Sequence, residues 1–210
     1  MTRPLLVGIA GGTASGKSTL CEALCQALDE FSVHILHMDA YFLPVKPRTT
    51  APYTGTEWDD YNQPGSFDLD ALRRDVDALR SGERPPDVIL IEGLMTLQDA
   101  ALREKLDLRI FVDAPPDERI VRRLRRNMAR GLTFEEIASY YLESVRWRHQ
   151  EYVEPSRWHA DLVYNGLYPS ATGLEVIAAW IRARVSMLRQ TDTPAASDHV
   201  ASRLQRPSND

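Results

Sequence analysis

The chain has 210 residues, 43% of them hydrophobic, and a formal net charge of −5. That is enough apolar material for one full core, and the acidic balance argues against nucleic acid or anionic membrane as a partner. The first apolar run is too short for a signal-peptide core and no run approaches spanning length, so a cytoplasmic protein with no membrane contact is expected.

"PLLVGIA" (4–10) opens as a continuous apolar run, the pattern of a strand buried on both faces. It ends in the glycine loop Gly11-Gly12-Thr13-Ala14-Ser15-Gly16-Lys17-Ser18, followed by Thr19 and a helical pattern over 17–30. Cys21 and Cys25 sit four apart on that helix, which suits buried thiols in a reducing compartment. "VHILHM" (33–38) is a second strand. Residues 43–67, rich in Pro, Thr, Gly and aromatics, read as one long irregular loop of functional type. A helix over 68–81 has Asp68 as N-cap and Gly82 as its stop. "DVILIEG" (87–93) and "LDLRIFVDA" (106–114) are further strands. Helices follow over 116–130, with six arginines, and over 133–150, where Thr133 and Glu136 have capping-box spacing. "ADLVYNG" (160–166) is the fifth strand, 172–189 the last helix, and 190–210 a polar, flexible tail. Strands alternating with helices predict an α/β fold with a five-stranded, mostly parallel sheet, as one domain over 1–189.

The glycine loop satisfies G-x-x-x-x-G-K-[ST] between a strand and a helix, as a phosphate loop requires. Its N–H groups and the helix dipole suit phosphate oxygens, Lys17 reaches the β/γ-phosphates, and Ser18 suits Mg²⁺. Ligands of open α/β sheets bind at the carboxyl ends of strands. Asp39 ends the second strand, either as a helix N-cap or as the base that takes a proton from an incoming hydroxyl. Glu92 ends the third, as a Mg²⁺ ligand or as half of an ion pair. Arginines 119, 122, 123, 125, 126 and 130 form an arginine-rich lid over about 119–133, of which only some can face one phosphate. The five histidines read as structural, Trp147 and Trp158 as packing residues. Trp58 and Tyr61 are open between stacking and packing.

With these motifs in order, the chain resembles the uridine kinase branch of the P-loop kinases, which includes nicotinamide riboside kinases and phosphoribulokinases. The matching pieces are "GIAGGTASGKSTL", "MDAYF", "YNQPGSFD", "VILIEGLM", "RRLRRNMARG" and "YVEPSRWHADLVYNG". The resemblance implies ATP and Mg²⁺ as cofactors and transfer of the γ-phosphate to the 5′-hydroxyl of a small riboside, with a homo-oligomer left open. It implies Asp39, Lys17 and Arg126 as catalytic residues. ATP would meet Gly11 to Thr19, Arg122 and Arg130, and the metal Ser18, Glu92 and Asp39. Arg123 joins the phosphate-facing candidates. The acceptor would meet Asp39, Tyr41, Phe42, Tyr61, Asn62 and Asp60.

Three departures bear on the acceptor. The family's base-reading hairpin is missing, since only "SGERPPD" joins Leu79–Arg80 to Val88. Asn62 stands where the ribose-binding acid is usual, leaving Asp59 or Asp60 to replace it. The lid is shorter by a residue and an arginine. Tyr61 occupies the place of an aromatic that stacks on a pyridinium in the nicotinamide riboside group. An ATP-hydrolysing regulatory protein is the rival of another class. A nucleic-acid 5′-kinase is disfavoured by the acidic "EWDDY".

Overall fold

The computed structural model describes residues 3–191; most of the polar tail assigned to 190–210 lies outside the described residues. The five apolar runs form β1 (Leu5–Gly11), β2 (Val33–His37), β5 (Val88–Glu92), β6 (Leu108–Asp113) and β7 (Leu162–Asn165), a sheet of order β2-β5-β1-β6-β7. All four pairings are parallel, so the sheet is wholly rather than mostly parallel. β1 lies at its centre with all seven residues buried, which is why its sequence carries no polar alternation.

Alternate residues of each strand feed opposite faces of the sheet. Leu5, Val7 and Ile9 pack with Leu24 of α1 (Lys17–Ala27) and with Ile177 and Ile181 of the last helix, α6 (Ala171–Thr191). Leu6 and Ala10 pack with Leu72 and Val76 of α2 (Leu69–Ser81) and with Phe111. Burying one such leucine or isoleucine contributes about 1.5–3 kcal/mol. Asp68 caps α2 by accepting from the Ala71 N–H. Cys21 is buried and Cys25 half-buried, both as free thiols.

Three local expectations change. Residues 43–67 are not wholly irregular: β3 (Arg48–Thr50) and β4 (Glu57–Asp59) pair as an antiparallel hairpin. Three-residue strands are too short to show a period. A short helix, α3 (Ala100–Arg103), capped by Asp99, precedes β6. The segment after α4 (Pro116–Met128) starts as expected, with the Thr133–Glu136 capping box on α5 (Phe134–Tyr140). It then turns π-helical over Tyr141–Val145 and His149–Val153. Such i→i+5 turns shift the face that a helix presents. Here they accompany a switch of partners, from Asn62 for Tyr140 to Asp60 for Arg148. Among the described residues, no helix is long and apolar enough to cross a membrane.

Candidate active site

The glycine loop joins the central strand to α1 and is held in a strained form. Gly16 has φ +103°, and Ala14, at φ +57°, is the one non-glycine with positive φ among the described residues. A left-handed non-glycine costs on the order of 1–2 kcal/mol, so the loop shape is imposed by its surroundings. The Lys17 ammonium donates to the Gly12 carbonyl at 3.0 Å. Burial lowers the Lys17 pKa, with Glu92 and Asp39 opposing and Arg126 adding to the effect. Ser18 Oγ donates to Glu92 Oε1 at 3.2 Å, and His37 Nδ1 lies 2.8 Å from the same oxygen.

Asp39 lies on the single 3-10 turn Met38–Tyr41 after β2. The turn starts no α-helix for it to cap, which removes the N-cap reading. Its carboxyl is raised above the usual range by burial, with Lys17 and Arg126 opposing and Glu92 reinforcing the shift. Asp39, Lys17, Glu92 and Arg126 therefore share one electrostatic neighbourhood.

A cleft of about 760 Å³ runs beside the loop, lined by Lys17, Ser18 and Thr19 on one side and Arg122, Arg126 and Arg130 on the other. Arg122 donates to the carbonyls of Gly166 and Leu167 at 2.8 and 3.2 Å, which fixes α4 against the end of β7. Arg123 donates to Thr13 Oγ1 at 3.0 Å, and its guanidinium lies 5.7 Å from the Tyr140 ring centroid. Arg119 does not belong to an exposed lid face: it is 4% exposed and lies under the glycine loop. His149 lies there too, so it and His37 both reach the loop or its carboxylate. The sequence offered no signal for either, because no metal-ligand spacing marks them.

Of the acceptor residues, Phe42 and Tyr61 meet edge to face with centroids 5.4 Å apart. Tyr41 donates its hydroxyl to Asp75 at 2.7 Å. Asn62 is buried, with its side-chain amide donating to Tyr140 Oη at 3.1 Å. Asp60 has no exposed surface, and Arg148 Nε donates to its Oδ2 at 2.7 Å while Gln63 and the Asn62 N–H take up the rest of the carboxylate. This corrects its expected role: Asp60 anchors the acceptor loop from within rather than meeting a ligand. Asp59 pairs with Arg48 at 2.7 Å. Trp58 donates to Glu143 at 2.8 Å and packs on Tyr140, so it serves packing. Trp158 is 88% exposed and does not. Only residues 82–87, with no strand, join α2 to β5. Lys46, which the sequence did not single out, stands 5.0 Å from the Tyr61 centroid and 5.6 Å from that of Phe42.

The donor set suits Mg²⁺. A serine hydroxyl and the Glu92 carboxylate are hard oxygens, and among the described residues no group of three His, Cys, Asp or Glu forms a closed cage. Mg²⁺ takes few protein ligands and completes its shell with water and phosphate.

Apparatus of this kind carries a phosphoryl group to a hydroxyl, and the class is that of the P-loop kinases, phosphotransferases with an alcohol acceptor. A model of the phosphoribulokinase / uridine kinase family matches residues 81–172. Uridine kinase of Clostridium botulinum is 35% identical over 185 residues, 78% of this chain and 88% of that one. Uridine kinase of Alkaliphilus metalliredigens is 31% identical over 204 residues, 87% and 97% of the two chains. The solved structure of a possible uridine kinase from Bacillus stearothermophilus superposes with a TM-score of 0.53 at 22% identity, over 79% of this chain and 90% of that one, which speaks for the fold. The chain belongs to the phosphoribulokinase / uridine kinase family.

Proposed function

We propose that the chain transfers the γ-phosphoryl group of ATP to the 5′-hydroxyl of a riboside with an uncharged base, of the uridine or cytidine kind. The observation that carries this reading is the convergence of Asp39, Lys17, Glu92 and Arg126 beside the glycine loop. Relatives named uridine kinase support the choice of acceptor.

A bound magnesium nucleotide would supply the phosphoryl group and a divalent charge to offset it. Gly11 to Thr19 bind its phosphates through N–H groups, with Ser18 and Glu92 as the metal's protein ligands and Asp39 beside them. Asp39 accepts the proton of the acceptor hydroxyl. Burial raises its pKa, and a higher carboxyl pKa makes it a stronger base than an ordinary carboxylate. Lys17 and Arg126 stabilise the charge that spreads over the transferring group, and Arg122 and Arg130 hold the other side of the cleft. Phe42 and Tyr61 offer the acceptor an aromatic wall, Tyr41 stiffens it from behind through Asp75, and Asn62 offers its carbonyl oxygen to the ribose.

A nicotinamide riboside acceptor is the nearest rival. Lys46 argues against it: a pyridinium stacking on Tyr61 would meet a second cation at the same ring. The test is ADP formation from Mg·ATP with uridine, cytidine, adenosine, nicotinamide riboside or no acceptor. The reading expects stimulation by neutral ribosides; equal turnover in every mixture would mean an ATP-hydrolysing regulatory protein instead.

A further inference from the structure

Behind the glycine loop, on α4, lies a buried cation without an anion. Arg119 is 4% exposed. Its Nε donates to the Ala114 carbonyl at 3.0 Å, and its buried Nη1 has no hydrogen-bond partner. Among the described residues no carboxylate pairs with it, although Glu118 on the same helix reaches Arg122. The guanidinium presses on the loop itself: a Cβ built on Gly12 would stand 2.3 Å from Nη1 and 3.0 Å from His149 Cε1. Gly12 thus has no side chain because an arginine fills that place.

His149 does not share this charge. Burial, then Arg119 and Lys17, push its imidazole down to about 3, so it is neutral at ordinary pH. Its Nε2 lies 3.2 Å from Glu154, and Glu154 and Asp113 both pair with Arg157, at 3.6 and 3.1 Å. A buried, uncompensated guanidinium is unfavourable for a folded protein. It persists where something outside the chain offsets it.

We infer that Arg119 is a positioning residue whose counter-charge is the bound nucleotide's phosphates, acting through the backbone of Gly12 from the side of the loop that the ligand does not touch. This rests on the nucleotide reading above. The arrangement makes the empty protein carry an unfavourable charge that binding relieves, so nucleotide affinity and nucleotide-induced stabilisation both depend on it. Lys17, Arg122, Arg126 and Arg130 line the cleft; Arg119 would act from behind the loop, in a low-dielectric setting where a charge is felt strongly.

The test uses R119M, which removes the charge at similar length, and R119K, which keeps it. Calorimetry gives the Kd for Mg·ADP, and a thermal melt gives Tm without ligand. For R119M the expected result is a ligand-free Tm at or above wild type with Mg·ADP binding weakened by about tenfold or more, and for R119K binding within about threefold of wild type. A purely structural arginine would give the reverse for R119M: a lower ligand-free Tm and an unchanged Kd, which overturns the inference. If R119M does not fold, R119Q, which retains a donor for the Ala114 carbonyl, is read by the same criteria. Wild-type protein that binds neither Mg·ADP nor Mg·ATP overturns the proposed function and this inference together. Wild-type binding shared fully by R119M overturns the inference alone.

Discussion

Ser18 Oγ donates to Glu92 Oε1 at 3.2 Å, and this contact ties the first turn of α1 to the end of the neighbouring strand β5. β1 and β5 pair directly, with Ile9 opposite Glu92, so the glycine loop and the acid leave the sheet side by side. In the proposed reaction this pair is where the metal is held. Glu92→Gln keeps the shape and removes the charge. Turnover should fall by about a hundredfold, and the Mg²⁺ concentration for half-maximal rate should rise, as read from a Mg²⁺ titration of ADP formation. Unchanged Mg²⁺ dependence would remove Glu92 from the metal site.

Asp39→Asn should lower turnover by roughly 10²–10⁴-fold, the usual contribution of a positioned base, and leave the Kd for Mg·ADP within about threefold. A matching loss in nucleotide affinity would show that Asp39 serves binding instead.

The pH profile follows from the same carboxyl. Burial raises its pKa, with Lys17 opposing and Glu92 adding. The ionised form is the active one, so the rate should fall as pH drops, with a midpoint above the ordinary carboxylate range. That acid limb should vanish from the residual activity of Asp39→Asn.

Stability has its own pH signature at His149, lowered from 6.5 to about 3 by burial, Arg119 and Lys17. A depressed pKa means that the unfolded chain takes up the proton first. The stability it contributes is complete above pH 6.5 and is lost as pH falls towards 3. Between pH 7 and 4 this amounts to about 3 kcal/mol, so His149→Gln should show a flatter loss of denaturant midpoint over that range. Equal slopes for the two proteins would contradict it.

The Asp60–Arg148 pair joins the acceptor loop to the π-helical segment. Asp60 is fully buried, so Arg148→Met leaves a charge with no outlet and should cost about 3 kcal/mol or more. Thermal melts read the loss, and proteolysis of the 43–67 segment should quicken.

The parts of this molecule that were legible in its sequence are those written locally. β1, the glycine loop and Lys17 occupy one unbroken stretch, and their chemistry depends on spacing alone. The five strands were legible because β-branched residues run without polar breaks where both faces are buried. The Thr133–Glu136 box marked the start of α5. What was hidden depends on distant contacts. Arg119 looked like the four other arginines of α4 until the fold put Gly12 against it. His149 is 137 positions from Gly12, and nothing in either stretch announces the meeting. Asp60 looked like a ligand-binding acid because its partner Arg148 lies in another element. Lys46 was one polar residue in a mixed loop until Phe42 and Tyr61 closed beneath it.

The central claim is phosphoryl transfer to a riboside hydroxyl, and phosphorus NMR of the protein with Mg·ATP and uridine tests it most directly. The account expects ADP and a new phosphomonoester on the 5′-oxygen in equal amounts. ADP with inorganic phosphate alone, at the same rate with and without uridine, would contradict it.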